Sequence, residues 1–161
     1  MKWNRKFVYP KSIRSTDNGI RRYLIGEKKL PSVTSILEAT KSEEDKAALA
    51  NWVERTGLKE SEAIVKAASN RGSKMHAYLE SFLLGQQNLS FFDDNEQYKI
   101  MAKQIIEKGL INRFEEVWGV ECTLYKPDSY SGTCDAVGVY DGRESIIAVS
   151  YTHLTLPTKE G

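Results

Sequence analysis

No apolar run in this sequence comes near the roughly 20 residues that a membrane-spanning helix needs. Nor does the opening stretch, MKWNRKFVYPKS, contain the apolar core of a secretion signal. Cysteine is scarce. Cys122 and Cys134 are the only two, and their spacing offers neither a zinc motif nor a disulfide framework, so a reduced, cytoplasmic protein is expected. Net charge is nearly absent at +1, which removes the simplest argument for a polyanionic partner. Repeats and low-complexity tracts are missing as well. What remains, 40% hydrophobic and 28% charged residues over 161 positions, is the composition of one globular domain or part of one.

The small net charge conceals an uneven distribution. Residues 1–30 hold nine Lys and Arg against Asp17 and Glu27, with Trp3, Phe7, Tyr9 and Tyr23 interleaved. Basic side chains follow phosphates, and aromatic rings stack on bases. A solvated amphipathic hairpin accounts for the same pattern, so both readings stay open here. If the segment binds DNA, Arg21, Arg22, Lys28 and Lys29 are the candidate backbone contacts.

Local signals order the chain as hairpin, helices, then strands. IRSTDNGIRRYLIG places a turn at Asp17-Asn18-Gly19 between two strands. Pro31 and Ser32 open a helix through LPSVTSILEAT. Ser42 to Arg55 reads as a second helix, with Glu43 and Glu44 at its positive end and Gly57 as its stop. From about Lys59, the residues Ile64, Ala67, Ala68, Arg71, Met75, Tyr78, Leu79 and Phe82 recur at helical spacing and predict a core-facing stripe. Gly72, His76 and Glu80 stand in register on a neighbouring face. A further helix is expected from about Asp94 to Trp118, and the section after it is β structure. The fold class expected is α/β.

The last hairpin constrains geometry most. VGVYDGRESII sets Asp141-Gly142 between two apolar runs, the mark of a two-residue type I′ turn. That turn pairs Tyr140 with Arg143, Val139 with Glu144 and Val137 with Ile146, and so sets Asp135 across from position 148. Position 150 shares the face of 148, since side chains alternate with period two. A carboxylate at the apolar base of a hairpin, facing Ala148 and Ser150, is an odd placement of charge. It either braces the preceding SGT turn or belongs to a metal site.

LPSVTSIL, NRGSKMHAYLESFL, WGVECTLY and YSGTCDAVGVYDGRESII, in that order, resemble the PD-(D/E)XK nuclease superfamily. The resemblance is closest to the RecB-like branch containing the mitochondrial genome maintenance exonuclease and its phage relatives, and it covers roughly residues 23–147. It implies a restriction-endonuclease-like core and a site built from a helical histidine, an aspartate after a Gly-rich turn, and a D-x-K on the next strand. His76 matches the histidine, Asp135 the first aspartate, and Glu121 an acidic residue on the preceding strand. D-x-K would fall at 148–150, where the hairpin register independently put the partners of Asp135. This chain has Ala148-Val149-Ser150 there.

The resemblance further implies a metal-dependent DNA exonuclease acting on single strands or ends. Asp135 and His76 would be ligands to Mg2+ or Mn2+, and Glu121 would join them in catalysis. A phage-encoded member would work in the host cytoplasm. A non-catalytic DNA-binding or recombination accessory module is the alternative, and a helical interaction protein a third. Val149 to Thr158 is also identical to a transposon-end sequencing adapter translated from its third base. The expected organisation is therefore a basic hairpin segment over 1–30, the amino-terminal part of a nuclease domain over 31–147, and a non-native tail over 148–161. On that account His153 has no function. Ala148 would be a junction codon whose G is also the first base of an aspartate codon.

Overall fold

A computed structural model describes residues 1–86 and 96–149. After a two-residue strand β1 (Lys2–Trp3), the basic segment forms a three-stranded antiparallel sheet of β2 (Ile13–Asp17), β3 (Ile20–Ile25) and β4 (Lys28–Pro31). Asn18 and Gly19 join the first two strands with φ of 50° and 79°, the positive values a type I′ turn needs. The third strand was not legible as one, because its KKLP has no alternating apolar pattern. Pro31 therefore ends a strand, and the helix begins one residue later than its signal. Ser32 caps α1 (Val33–Ala39), its hydroxyl accepting the Ser35 N–H.

The second helix signal holds closely. Ser42 caps α2 (Glu43–Thr56), and Gly57, at φ 88°, ends it. The next helix, α3 (Leu58–Leu83), runs unbroken through Gly72 for 26 residues. Its predicted stripe faces the core only in its second half. Met75, Leu79 and Leu83 are buried, whereas Ile64 and Val65 are exposed. Among the described residues no helix is long and apolar enough to cross a membrane.

The helix expected over 94–118 is corrected. Position 94 lies outside the described residues, and the helix observed, α4 (Gln97–Ile105), continues only through a π-helical turn at Ile106–Leu110. Asn112 then takes a left-handed φ of 65°, and β5 (Phe114–Lys126) begins. Phe114 and Val117 are buried as the spacing implied, but they reach the core from a strand. Their separation of three satisfies helical periodicity by accident, while the aromatic and β-branched run FEEVWGV suits a pleated surface.

β5 pairs with β6 (Tyr130–Tyr140), and β6 with β7 (Arg143–Ile147). With β1 added in parallel, the sheet order is β1-β5-β6-β7. The fold is thus mixed α/β, with helices α3 and α4 against the four-stranded sheet. Asp141 and Gly142 have φ of 47° and 72°, and the register is the one the turn predicts, from Tyr140↔Arg143 to Ala136↔Ile147. Val117 and Ala136 belong to the core beneath α3 and α4, while their neighbours Trp118 and Val137 join a second cluster with Tyr9. Since successive strand residues point to opposite faces, the two clusters cover the two sides of the sheet. Most of the tail expected from 148 onward lies outside the described residues.

Gly138 permits the tightest backbone approach in the sheet. A Cβ there would sit 1.9 Å from the Glu116 carbonyl oxygen and 2.6 Å from the Phe114 ring. Neither neighbour is free to move, because one is backbone and the other is fully buried. Gly138→Ala is expected to cost about 2–3 kcal/mol in a urea titration, as overpacking does. Gly109→Ala, whose methyl group meets nothing closer than 3.9 Å, is the matched control. Equal midpoints for the two variants would disprove the close-approach account.

Candidate metal centre

Three segments distant in sequence converge on one point. His76 comes from the second half of α3, where Met75 and Leu79 anchor the helix to the core. Asp135 lies on β6 and Glu121 on β5. Their positions fall between the pairs Val120↔Ala136 and Cys122↔Cys134. One ligand atom from each of the three residues lies within 4.8 Å of those of the other two. His76 Nδ1 is 2.9 Å from Asp135 Oδ1, and the Val149 backbone N–H donates to Asp135 Oδ2 at 2.5 Å.

The strands change face at the carboxylates. Val120 and Ala136 pack beneath the helices, whereas Cys122 and Cys134 sit in the cluster on the other side. Regular alternation would put residues two apart on the same face. The switch coincides with Glu121, whose φ of 51° is a left-handed conformation costing a non-glycine residue roughly 1–2 kcal/mol. Strained positions of this kind collect at functional sites. This one lets both carboxylates reach the His76 side while the cysteines behind them fill the opposite core.

Electrostatics follow from the packing. Partial desolvation holds the carboxyl of Glu121, an exposed residue, above its usual range, and the negative charges of Asp135 and Glu80 push the same way against the weaker pull of His76. For Asp135, burial opposes ionisation most, but the His76 hydrogen bond and the Val149 amide together outweigh it and hold the carboxyl below its ordinary value. His76 is raised, chiefly by its hydrogen bond to Asp135. Two carboxylates forced together beside an imidazole form a site that a cation relieves. Two oxygen donors and one nitrogen are a donor set that could hold a divalent cation. No family model and no curated protein matches the chain.

The ladder ends one residue short of position 148, and Ile147 and Val149, rather than Ala148, line the small pocket with Asp135. Ala148 follows the last ladder pair, Ala136↔Ile147, and the Val149 amide touches the Asp135 carboxylate. Ser150 lies outside the described residues, as does His153. Glu80 lines the same small pocket as His76, Glu121 and Asp135.

The four basic residues chosen from sequence separate. Arg21 lines a cleft of about 630 Å3 whose lining includes Glu121. Lys28 pairs with Asp128 at 2.5 Å, and Lys29 pairs with Asp17. Arg22 lies opposite Ser15 and Pro31 in the small sheet and does not line the cleft. Sequence reasoning missed Arg14, Tyr125, Lys126 and Tyr130, which do. The Asn18-Gly19 turn held the signal for Arg14, because its register pairs Arg14 with Tyr23, two residues from Arg21.

Proposed function

We propose that this chain carries the metal-holding part of a divalent-metal-dependent DNA exonuclease centre, acting on single strands or ends, of the kind its PD-(D/E)XK resemblance implies. One observation carries the reading: His76, Glu121 and Asp135, drawn from three separated segments, present ligand atoms within 4.8 Å of one another. A bound Mg2+ or Mn2+ would supply an acidified water and charge stabilisation at phosphate. Asp135 stays ionised through its two hydrogen bonds. Glu121, its carboxyl raised by partial desolvation and by the charge of Asp135, would be favoured in its ionised form by a bound cation. His76, oriented by Asp135, adds nitrogen to the oxygen donors. Ala148 and Ser150 stand where the family pattern has aspartate and lysine, so the 161-residue chain is expected to hold metal weakly and to cleave DNA only at background rate. Ala148 also favours the second reading, a non-catalytic DNA-binding or recombination accessory module on the same fold.

Calorimetric titration with Mn2+ tests the metal reading without requiring activity. A single Mn2+ site is expected, and the absence of any heat above buffer would overturn it. Affinity should also fall with acidity. Protons compete for His76 and Glu121, and both groups hold them to higher pH than usual. The apparent affinity is therefore expected to climb from pH 5.5 to pH 8, and to keep climbing past the ordinary histidine value of 6.5. A flat profile over that range would remove His76 from the ligand set.

A further inference from the structure

Cys122 and Cys134 are directly opposed in the β5–β6 ladder, and both are buried with free thiols. They share one face of the hairpin, in the cluster on the side away from α3 and α4. Opposed antiparallel residues hold their Cβ atoms about 4.5–5.5 Å apart, and a disulfide needs about 3.5–4.5 Å. A strand shift of about 1 Å closes that gap. Each cysteine also adjoins a carboxylate of the metal centre, since Cys122 follows Glu121 and Cys134 precedes Asp135. Over the thiols lies a strap, residues 4–12, with neither helix nor strand. Tyr9 packs from this strap onto the cluster, and a Cβ at Gly119 would meet both its ring and Cys122 Sγ. Ring and sulfur therefore lie side by side. Among the described residues no backbone hydrogen bond holds Phe7 to Lys11, so the strap can open locally at small cost.

We infer that Cys122 and Cys134 form a thiol–disulfide switch whose closure distorts the metal centre. The oxidant is a low-molecular-weight disulfide of the oxidised glutathione type. One cysteine, as thiolate, attacks a sulfur of that disulfide and expels one glutathione thiolate. The other cysteine then attacks the protein sulfur of the mixed disulfide and expels the second. The two cysteines give up two electrons and two protons, and two glutathione thiols carry them away. Covered thiols are inert, so oxidation waits for the strap to open. Closure draws β5 and β6 together beside Glu121, whose left-handed φ of 51° is the joint where the sheet changes face. A constellation of ligands tolerates displacements of only about 0.5 Å, so the carboxylates leave their metal-holding arrangement. That consequence rests on the proposed metal reading, whereas the disulfide itself does not.

Incubation of the whole chain with oxidised glutathione, followed by alkylation and mass spectrometry, tests the pair. The parent is expected to lose two hydrogens and both alkylation sites, and dithiothreitol should restore them. Cys122→Ala and Cys134→Ala, each checked for folding by circular dichroism, should end as mixed glutathione adducts instead. Tyr9→Ala should speed disulfide formation about tenfold by removing the cover. Calorimetry is expected to show Mn2+ binding about tenfold weaker in the oxidised protein than in the reduced one. A second readout needs no metal. The His76 ring protons, identified by their loss in His76→Gln, should shift in the proton NMR spectrum on oxidation. Thiols that stay free in both the parent and Tyr9→Ala, or a parent that stops at mixed adducts, overturn the pair. A disulfide that leaves Mn2+ affinity and the His76 signals unchanged overturns the switch. A His76 shift with no Mn2+ site in either form would sink the metal reading and leave the switch standing. An Mn2+ site in a protein that forms no disulfide would do the reverse.

Discussion

Replacing Asp135 by asparagine should weaken Mn2+ binding by at least about a hundredfold, more than any other single substitution in the site. Asp135 is the hub. One of its oxygens meets His76 Nδ1 and the other accepts the Val149 N–H. The amide of asparagine keeps the shape, removes the charge, and leaves one acceptor oxygen where His76 and the Val149 N–H now meet two. Glu121→Gln removes an equal charge but leaves the His76 and Val149 contacts intact, so it should cost less. A calorimetric series in which Glu121→Gln matched or exceeded Asp135→Asn would move the hub to the wrong strand.

The same substitution has a signature in the metal-free protein. Asp135 titrates below its ordinary 3.8 in the folded state, so its contribution is present above that value and lost as pH falls through the folded one. His76 titrates above its ordinary 6.5, so its contribution is present below 6.5 and lost as pH rises through the folded value. Both hold together between those two limits. Urea midpoints of parent and Asp135→Asn should therefore differ most near pH 5 and converge toward pH 9. A difference that grew with alkalinity would mean that the pair is not an ion pair.

Much of this site was legible because two turns fix long-range geometry from two residues each. Asp141-Gly142 can only close a tight hairpin, so the pairings down to the base of the strands followed without any contact information. His76 became a candidate only through the family resemblance, since a lone histidine on a helix is ordinary. What stayed hidden depends on departures from regularity. No periodicity announces that Glu121 takes a left-handed φ, or that the sheet changes face between Val120 and Cys122. Asn112 ended the helix where Leu110, Phe114 and Val117 seemed to continue it, because strand burial on one face can imitate a spacing of three. The cleft was hidden for a different reason. Charge counting ranks Lys28 and Lys29 with Arg14 and Arg21, and only the acidic partners Asp128 and Asp17 tell them apart.

Installing the two residues that the family pattern asks for should produce the largest gain. Ala148→Asp alone is expected to tighten Mn2+ binding about tenfold or more, because it adds a carboxylate on the stretch of chain whose Val149 amide meets Asp135. Space permits it. Ala148 is exposed, and the chain already passes close enough for the neighbouring Val149 amide to reach Asp135 Oδ2 at 2.5 Å. Ser150→Lys adds the lysine of the family pattern, which would orient water and offset charge developing on phosphate. The double variant is expected to release nucleotides from DNA in Mn2+ at least about a thousandfold above the parent chain. Such groups act as a unit, so either substitution alone should give little cleavage. Asp135→Asn in the double-variant background separates this activity from a contaminating nuclease, which it would leave untouched. Tighter metal binding without cleavage would favour the binding module. Unchanged metal affinity in Ala148→Asp would break the link between the Asp141-Gly142 register and the site, and with it the nuclease reading.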